Sequence, residues 1–315
     1  MIRRAFFPTV VAIALFLLSS ASRGEAKEPT VDAARMRELW EEPSDIRSRD
    51  LYYGPGGPRL VPRTDVTYRV VDLDTSGHSR GYDLLDPEGR KWDVKIGDEA
   101  QSDLVVSRIL WAIGYRQPIT YYVREWRMRD GPGWPPSPGR FRLSSDHKVT
   151  GEWSWDENPF RDSRPFHGLI VANLILNNWD LTTSNNRTYR MGEPGEGPRR
   201  WYVVQDVGGS LGMTRWPIGT RNDIDDFESE PLIRRVEDGE VRFSYKARHR
   251  GLVKVITPAD VVWTCRLLDR LSETQLLDAF RAAGYPPEIR KRYVLKIREK
   301  IREGLALEPP VEGGK

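Results

Sequence analysis

Asp180 and Asn185 stand five residues apart at the end of an apolar stretch, in Asn178-Trp179-Asp180-Leu181-Thr182-Thr183-Ser184-Asn185, and Asp206 follows in Asp206-Val207-Gly208. A carboxylate that can accept or orient a hydroxyl proton, with two oxygen-bearing side chains that can share a hard cation, is what phosphoryl transfer asks of a protein. Upstream, Lys95 in Trp92-Asp93-Val94-Lys95-Ile96-Gly97 offers a cation for phosphate oxygens. Strand alternation sends Trp92, Val94 and Ile96 to one face and leaves Asp93 and Lys95 on the other. Glu99 and Asp103 come next, four apart on one helical face, so either could reach Lys95; Asp103 is taken as the acid that orients it. Ser76-Gly77-His78-Ser79-Arg80-Gly81 is the one candidate for a turn that covers phosphates, with Gly77 and Gly81 as its glycines. Each piece alone also reads as ordinary structure: an exposed strand lysine, Asx turns after a helix, a common Asp-x-Gly turn. Their order is what carries information: strand lysine, helix acid, apolar helix, Asp-x4-Asn, hairpin, Asp-x-Gly.

The elements that must position these residues can be read in outline. Residues 65–97 alternate like three strands, with Asp86-Pro87-Glu88-Gly89 as a turn. Residues 99–114 switch to helical period through Leu104, Val105, Ile109, Ala112 and Ile113. Residues 117–123 return to strand character, and 130–165 is rich in Pro, Gly and Trp and carries a hairpin. An apolar helix follows over 165–178, then two strands over 187–206, then a charged, irregular stretch over 212–256. Thr257-Pro258-Ala259-Asp260 and Ser272-Glu273-Thr274-Gln275 read as capping boxes, and Pro286-Pro287 opens a last helix ending near Leu307. The expected organisation is a leader over 1–21, an extension with one helix over 22–62, a small sheet-bearing lobe over 63–125, a larger mostly helical lobe over 126–310 and a tail over 311–315. The fold class is α+β.

At these residues the chain resembles the atypical branch of the protein-kinase-like superfamily, in particular HipA-type kinases, phosphatidylinositol kinases and secreted kinases of the CotH type. The resemblance covers roughly residues 65–212. It implies a bilobal kinase-like fold, ATP or another nucleotide with Mg2+ as cofactor, and a hydroxyl-bearing acceptor. It further implies Asp180 as base, Asn185 and Asp206 as metal ligands, and Lys95 on the phosphates with Asp103 behind it. The sequence departs from the pattern in three places. There is no G-x-G-x-x-G loop, Trp179 and Leu181 flank Asp180 where a basic residue is usual, and no A-P-E follows Gly208. Residues 99–115 also resemble bacterial secreted proteins of no assigned activity.

Arg3 and Arg4, an uncharged apolar run over 5–18 and Ser19-Ser20-Ala21 read as a secretory leader, too short for a membrane span of about 20 apolar residues. An exported, periplasmic or secreted location follows, with a leader retained as an uncleaved anchor as the lesser reading. Export removes the protein from the main pool of ATP, so the alternative is a catalytically inactive, pseudokinase-like envelope protein that binds a ligand or partner. The 315 residues carry 49 Lys and Arg against 46 Asp and Glu; losing two Arg with the leader takes +3 to +1. Such balance gives no bias toward nucleic acid. The run Arg290-Lys291-Arg292 through Arg302 is interleaved with Glu299 and reads as the solvated face of a helix. The lone Cys265 excludes an intramolecular disulfide and reads as a core thiol. Four scattered His offer no zinc spacing, and no G-x-S-x-G supports a serine hydrolase. The eleven Trp read mainly as packing aromatics.

Overall fold

The computed structural model describes residues 31–74, 80–131, 138–144, 149–190, 200–215 and 217–308. The leader, Gly77 and the turn at Gly192-Glu193-Pro194-Gly195 lie outside these. In chain order the elements are α1 (Ala33–Met36), β1 (Thr67–Asp74), β2 (Gly81–Leu85), β3 (Lys91–Ile96), α2 (Glu99–Ala112), β4 (Thr120–Val123), β5 (Arg127–Arg129), β6 (Gly139–Ser144), β7 (Val149–Gly151), α3 (Arg164–Ile175), β8 (Asn186–Arg190), β9 (Arg200–Val204), α4 (Ile224–Ser229), β10 (Ile233–Glu237), β11 (Glu240–Phe243), α5 (Pro258–Asp269), α6 (Glu273–Ala282) and α7 (Pro287–Leu305). The arrangement is α+β, as expected: an N-terminal sheet with one long helix, then a larger, mostly helical part.

Six strands form the main sheet in the order β4-β6-β3-β2-β1-β5, antiparallel except for the β1–β5 pair. Because β5 and β6 belong to this sheet, the boundary expected after residue 125 falls inside it. Alternation on β3 sends Trp92 and Val94 into a cluster with Tyr68, Tyr82, Tyr121, Trp126 and Phe141, all almost fully buried. Asp93 and Lys95 are thereby left on the opposite face. On β6 the same alternation buries Phe141 in that cluster and turns Arg140 and Arg142 toward Asp93 and Asp103.

A second, larger core unites α2, α3, α5, α6 and α7. Both expected capping boxes are present: Thr257 with Asp260 starts α5 and Ser272 with Gln275 starts α6. Ser163 caps α3, with Pro165 in its first turn. The N-terminal extension belongs to this core, since Leu39, Ile46 and Leu51 are buried in it. Its one helix is a single turn, Ala33–Met36, capped by Asp32. Arg108 of α2 holds the extension by donating to the carbonyls of Tyr53 and Thr120. That guanidinium occupies the space where a side chain on Gly54, at φ +65°, would begin.

Cys265 is buried, and burial pushes its thiol up to about 12. Trp126, Trp153 and Trp155 are packing aromatics. The basic face of α7 needs a correction: Lys300 is fully buried, because α7 packs against α3, α4, α5 and α6 rather than presenting that face to solvent. The stretch expected to be irregular holds α4 and the β10–β11 hairpin. Among the described residues no helix is long and apolar enough to cross a membrane.

Candidate active site

Between the main sheet and the helical part lies a cleft of about 520 Å³. Lys95, Glu99, Asp180, Asn185, Asp206 and Gly81 all line it. Lys95 reaches in from β3, and its Nζ donates to both carboxylate oxygens of Asp206 at 2.8 and 2.9 Å. These residues are 111 positions apart, so the contact is made by tertiary folding alone.

The acid that meets Lys95 is Glu99, with Nζ 2.6 Å from Oε2. The expected partner, Asp103, does not take this place. It is fully buried one turn further along α2, with Oδ2 3.2 Å from Arg140 Nε and 3.4 Å from Arg142 Nη2. The cause is geometric: Gly97 and Asp98 link β3 to α2 so tightly that the first turn of the helix already faces the strand's end. Glu99's other oxygen receives Arg221, whose guanidinium also lies 5.1 Å over the ring of Trp179. Gly208 fits against the same acid. A Cβ there would stand 2.7 Å from Glu99 Cβ, and the carbonyl of Gly208 accepts from Ser102 Oγ at 2.7 Å.

Asp180 and Asn185 are held together by their loop. Asn185 Nδ2 donates to the Asp180 carbonyl at 2.8 Å and to its Oδ2 at 3.1 Å, while Asn178 Oδ1 accepts from the Asp180 amide at 3.1 Å. The carbonyl of Asn185 accepts from the amides of Gln205 and Asp206 at 2.9 and 3.2 Å, which fixes Asp206 against the loop. Arg248 completes the surroundings, its Nε 3.8 Å from Asp180 Oδ1.

The charges are graded from back to front. Asp93 meets Arg140 and Arg142 at 3.1 and 3.2 Å, so two arginines and two aspartates make a compact group behind Lys95. Burial pushes the Asp206 carboxyl up, but Lys95, with Arg142 and Arg140 behind it, outweighs burial and holds it below the ordinary carboxylate range. Burial likewise opposes ionisation of Asp93, and the same two arginines outweigh it.

The donor set suits a magnesium ion accompanying a polyphosphate. Asp206 offers a carboxylate and Asn185 an amide oxygen, its amide nitrogen being committed to Asp180. Among the described residues no three His, Cys, Asp or Glu side chains gather into a metal cage. Magnesium does not require one, because it keeps waters and phosphate oxygens beside one or two protein ligands. Lys95 now supplies the positive charge that Asp206 would share with such an ion. Of the two glycines expected at the phosphate turn, Gly81 lines the cleft and pairs with Lys95 across β2 and β3.

Sequence reasoning missed Arg140, Arg142, Arg221 and Arg248 as cleft residues. The alternation of Gly-Arg-Phe-Arg-Leu-Ser over β6 was a usable signal for the first two. No local signal marks Arg221 or Arg248.

No family model and no curated protein sequence matches the chain. Among solved structures it is similar to the Helicobacter pylori proinflammatory kinase CtkA, with 11% identity and a TM-score of 0.49, over 78% of this chain and 96% of that one. It is also similar to a Golgi casein kinase solved with Mn and ADP bound, with 9% identity and a TM-score of 0.37, over 85% of this chain and 76% of that one. At this depth of likeness neither structure says what this chain binds or does.

Proposed function

We propose that this chain is an exported, kinase-like phosphotransferase that moves the terminal phosphoryl group of a magnesium-bound nucleotide, ATP in the first instance, to a hydroxyl. The observation that carries the reading is the meeting of Lys95 with both Glu99 and Asp206 in the cleft that also holds Asp180 and Asn185. A lysine on the third strand, paired with an acid on the following helix and facing a metal-binding aspartate, is the working arrangement of kinase sites. A surface lysine with unrelated turn acids would not unite residues from four segments.

In this reading Lys95 binds phosphate oxygens and Glu99 keeps its ammonium in place. Asp206 and Asn185 would hold magnesium, which when bound neutralises phosphate charge. Asp180 orients the acceptor hydroxyl and takes its proton. The loop bonds from Asn185 and Asn178 keep Asp180 positioned for that task.

The test is transfer of labelled terminal phosphate by the purified chain, either to itself or to a mixed acceptor pool. Asp180→Asn is expected to lower the rate by about 100-fold or more, given the usual size of general-base contributions. Equal transfer by wild type and Asp180→Asn would remove Asp180 from the mechanism. Absence of any transfer, with nucleotide still bound, would favour the non-catalytic alternative.

A further inference from the structure

The buried stripe of α7 carries Tyr293, Val294, Ile297 and Ile301, and Lys300 stands among them, fully buried. Of α7's two buried lysines, Lys296 reaches the exposed Glu299 at 2.8 Å, whereas Lys300 turns inward. A lysine in that place is costly, because its ammonium leaves water for the protein interior, and the proposed chemistry does not use it. A methionine would fill similar space without that cost. What only the ammonium offers is a set of directed donors, so where they point is informative.

They point at the end of α3, where the loop bearing Asp180 begins. Lys300 Nζ donates to the side-chain oxygen of Asn177 at 2.6 Å and to the carbonyl of Ile175 at 3.3 Å, and it lies 4.2 Å from the centre of the Phe227 ring. Ile175 is the last residue of α3, and a helix offers no amide to its last carbonyls, so a cation suits this end. Asn177 has a left-handed backbone, at φ +53°, and turns the chain out of the helix toward Asp180. Its side-chain nitrogen donates to the carbonyl of Gly212 at 2.7 Å, so one amide group links Lys300 to the segment that follows Asp206-Val207-Gly208. Two backbone bonds lace the same two segments together: the Trp179 amide donates to the Gly209 carbonyl at 3.0 Å, and the Leu211 amide to the Leu176 carbonyl at 2.9 Å. α7 also holds the second segment directly, with the Tyr293 hydroxyl donating to the Leu211 carbonyl at 3.2 Å.

We propose that Lys300 is a positioning residue of the site: by anchoring Asn177 to α7 it holds the Asp180 loop in place against the segment that follows Asp206. What that positioning serves rests on the transferase reading above. Asp180 must face the acceptor hydroxyl while Asp206 faces the metal-bound phosphates, so the spacing of the two segments sets the line of attack. The far end of the loop has supports of its own, since the carbonyl of Asn185 accepts from the amides of Gln205 and Asp206, and Lys95 meets Asp206. The near end, through which Asp180 is placed, depends on Asn177. Loss of the Lys300 ammonium therefore loosens Asp180 more than the metal side, and lowers the rate with little change in nucleotide binding.

The experiment compares the full wild-type chain with Lys300→Met, with Asn177→Gly, which keeps the left-handed turn, and with the double variant. Amide hydrogen exchange is followed by mass spectrometry, beside phosphate transfer from ATP and Mg-ADP affinity. Lys300→Met is expected to raise exchange about tenfold over residues 176–181 and 209–212 and to leave the main sheet unchanged. Its kcat is expected to fall about tenfold, with KM for ATP and Mg-ADP affinity within about twofold of wild type. Asn177→Gly should give the same pattern, and it carries the test if Lys300→Met does not fold. The double variant should be no slower than the slower single one, since both changes cut the same contact. Unchanged exchange in the two segments, a rise spread equally over the main sheet, or single losses that multiply in the double variant overturns the proposal. So does a local rise in exchange with kcat unchanged, or a loss of nucleotide affinity as large as the loss of rate. If the wild type transfers no phosphate while the local exchange pattern appears, the positioning contact stands and the transferase reading fails, so the two failures are distinguishable.

Discussion

Gly208→Ala tests whether the closeness of the Asp206-Val207-Gly208 turn to α2 sets the geometry of the site. An alanine Cβ would lie 2.7 Å from Glu99 Cβ, 3.2 Å from its carbonyl oxygen and 3.3 Å from its Cγ. Ordinary contact begins near 3.4 Å, so Glu99 and the start of α2 must retreat by about 0.7 Å. The neighbour is the root of a side chain and its backbone, neither of which can swing aside. Overpacking of this kind costs about 1–3 kcal/mol, which for a chain of this size lowers the melting temperature by roughly 2–10 °C. The same retreat stretches the 2.6 Å contact between Glu99 and Lys95, and misplacement approaching 1 Å at a reacting centre costs on the order of 100-fold in rate. Thermal unfolding and labelled-phosphate transfer are measured on the same preparation. Gly251→Ala serves as the control, because its Cβ meets nothing within 4 Å and its backbone is helical at φ −62°. If Gly208→Ala loses stability as expected yet transfers phosphate at the wild-type rate, Glu99 does not position Lys95 and the reasoning fails.

Asp103→Ala and Glu99→Gln should separate structure from chemistry. Asp103→Ala leaves Arg140 and Arg142 short of a buried counter-charge and should cost about 3–5 kcal/mol in urea unfolding, whereas Glu99→Gln should cost far less stability and lose transfer. The opposite pattern would restore Asp103 as the partner of Lys95. Burial lowers the Lys300 ammonium to about 7, with Lys296 adding to the effect and Glu230, Glu303 and Glu299 opposing it. The unfolded chain therefore binds the proton more tightly, and this group makes stability rise with pH from about 7 to about 10.5, by ~5 kcal/mol in total. Lys300→Met should flatten that rise in unfolding measured across the same interval, and an unchanged slope would show that Lys300 is not its source.

The order of the site was legible because each part sits in a local pattern. Lys95 follows from strand alternation, Asp180 and Asn185 from their spacing after an apolar helix, and Asp206 from the end of a hairpin. The choice between Glu99 and Asp103 was not legible, since both lie on one face of α2. What decides it is β6, which starts 36 residues beyond Asp103 and brings Arg140 and Arg142 across the sheet to claim that carboxylate. Arg221 and Arg248 were hidden for a related reason. They lie in the loops before α4 and between the β10–β11 hairpin and α5, and contacts distant in sequence fix where those loops pack, among them Tyr245 with Trp179, Lys246 with Thr214 and Arg221 with Glu99. Lys300 looked solvated because helical periodicity shows which side chains share a face but not what packs on it.

Nucleotide stabilisation tests the central claim most directly. The purified chain is melted with ATP, with and without magnesium, beside Asp206→Ala. At about 100 times the dissociation constant, binding to the folded state alone adds about 2.7 kcal/mol, a shift of several degrees. The account predicts that shift with magnesium, a much smaller one when the metal is chelated, and none in Asp206→Ala. A melting temperature unmoved by any nucleotide with any divalent cation would contradict it.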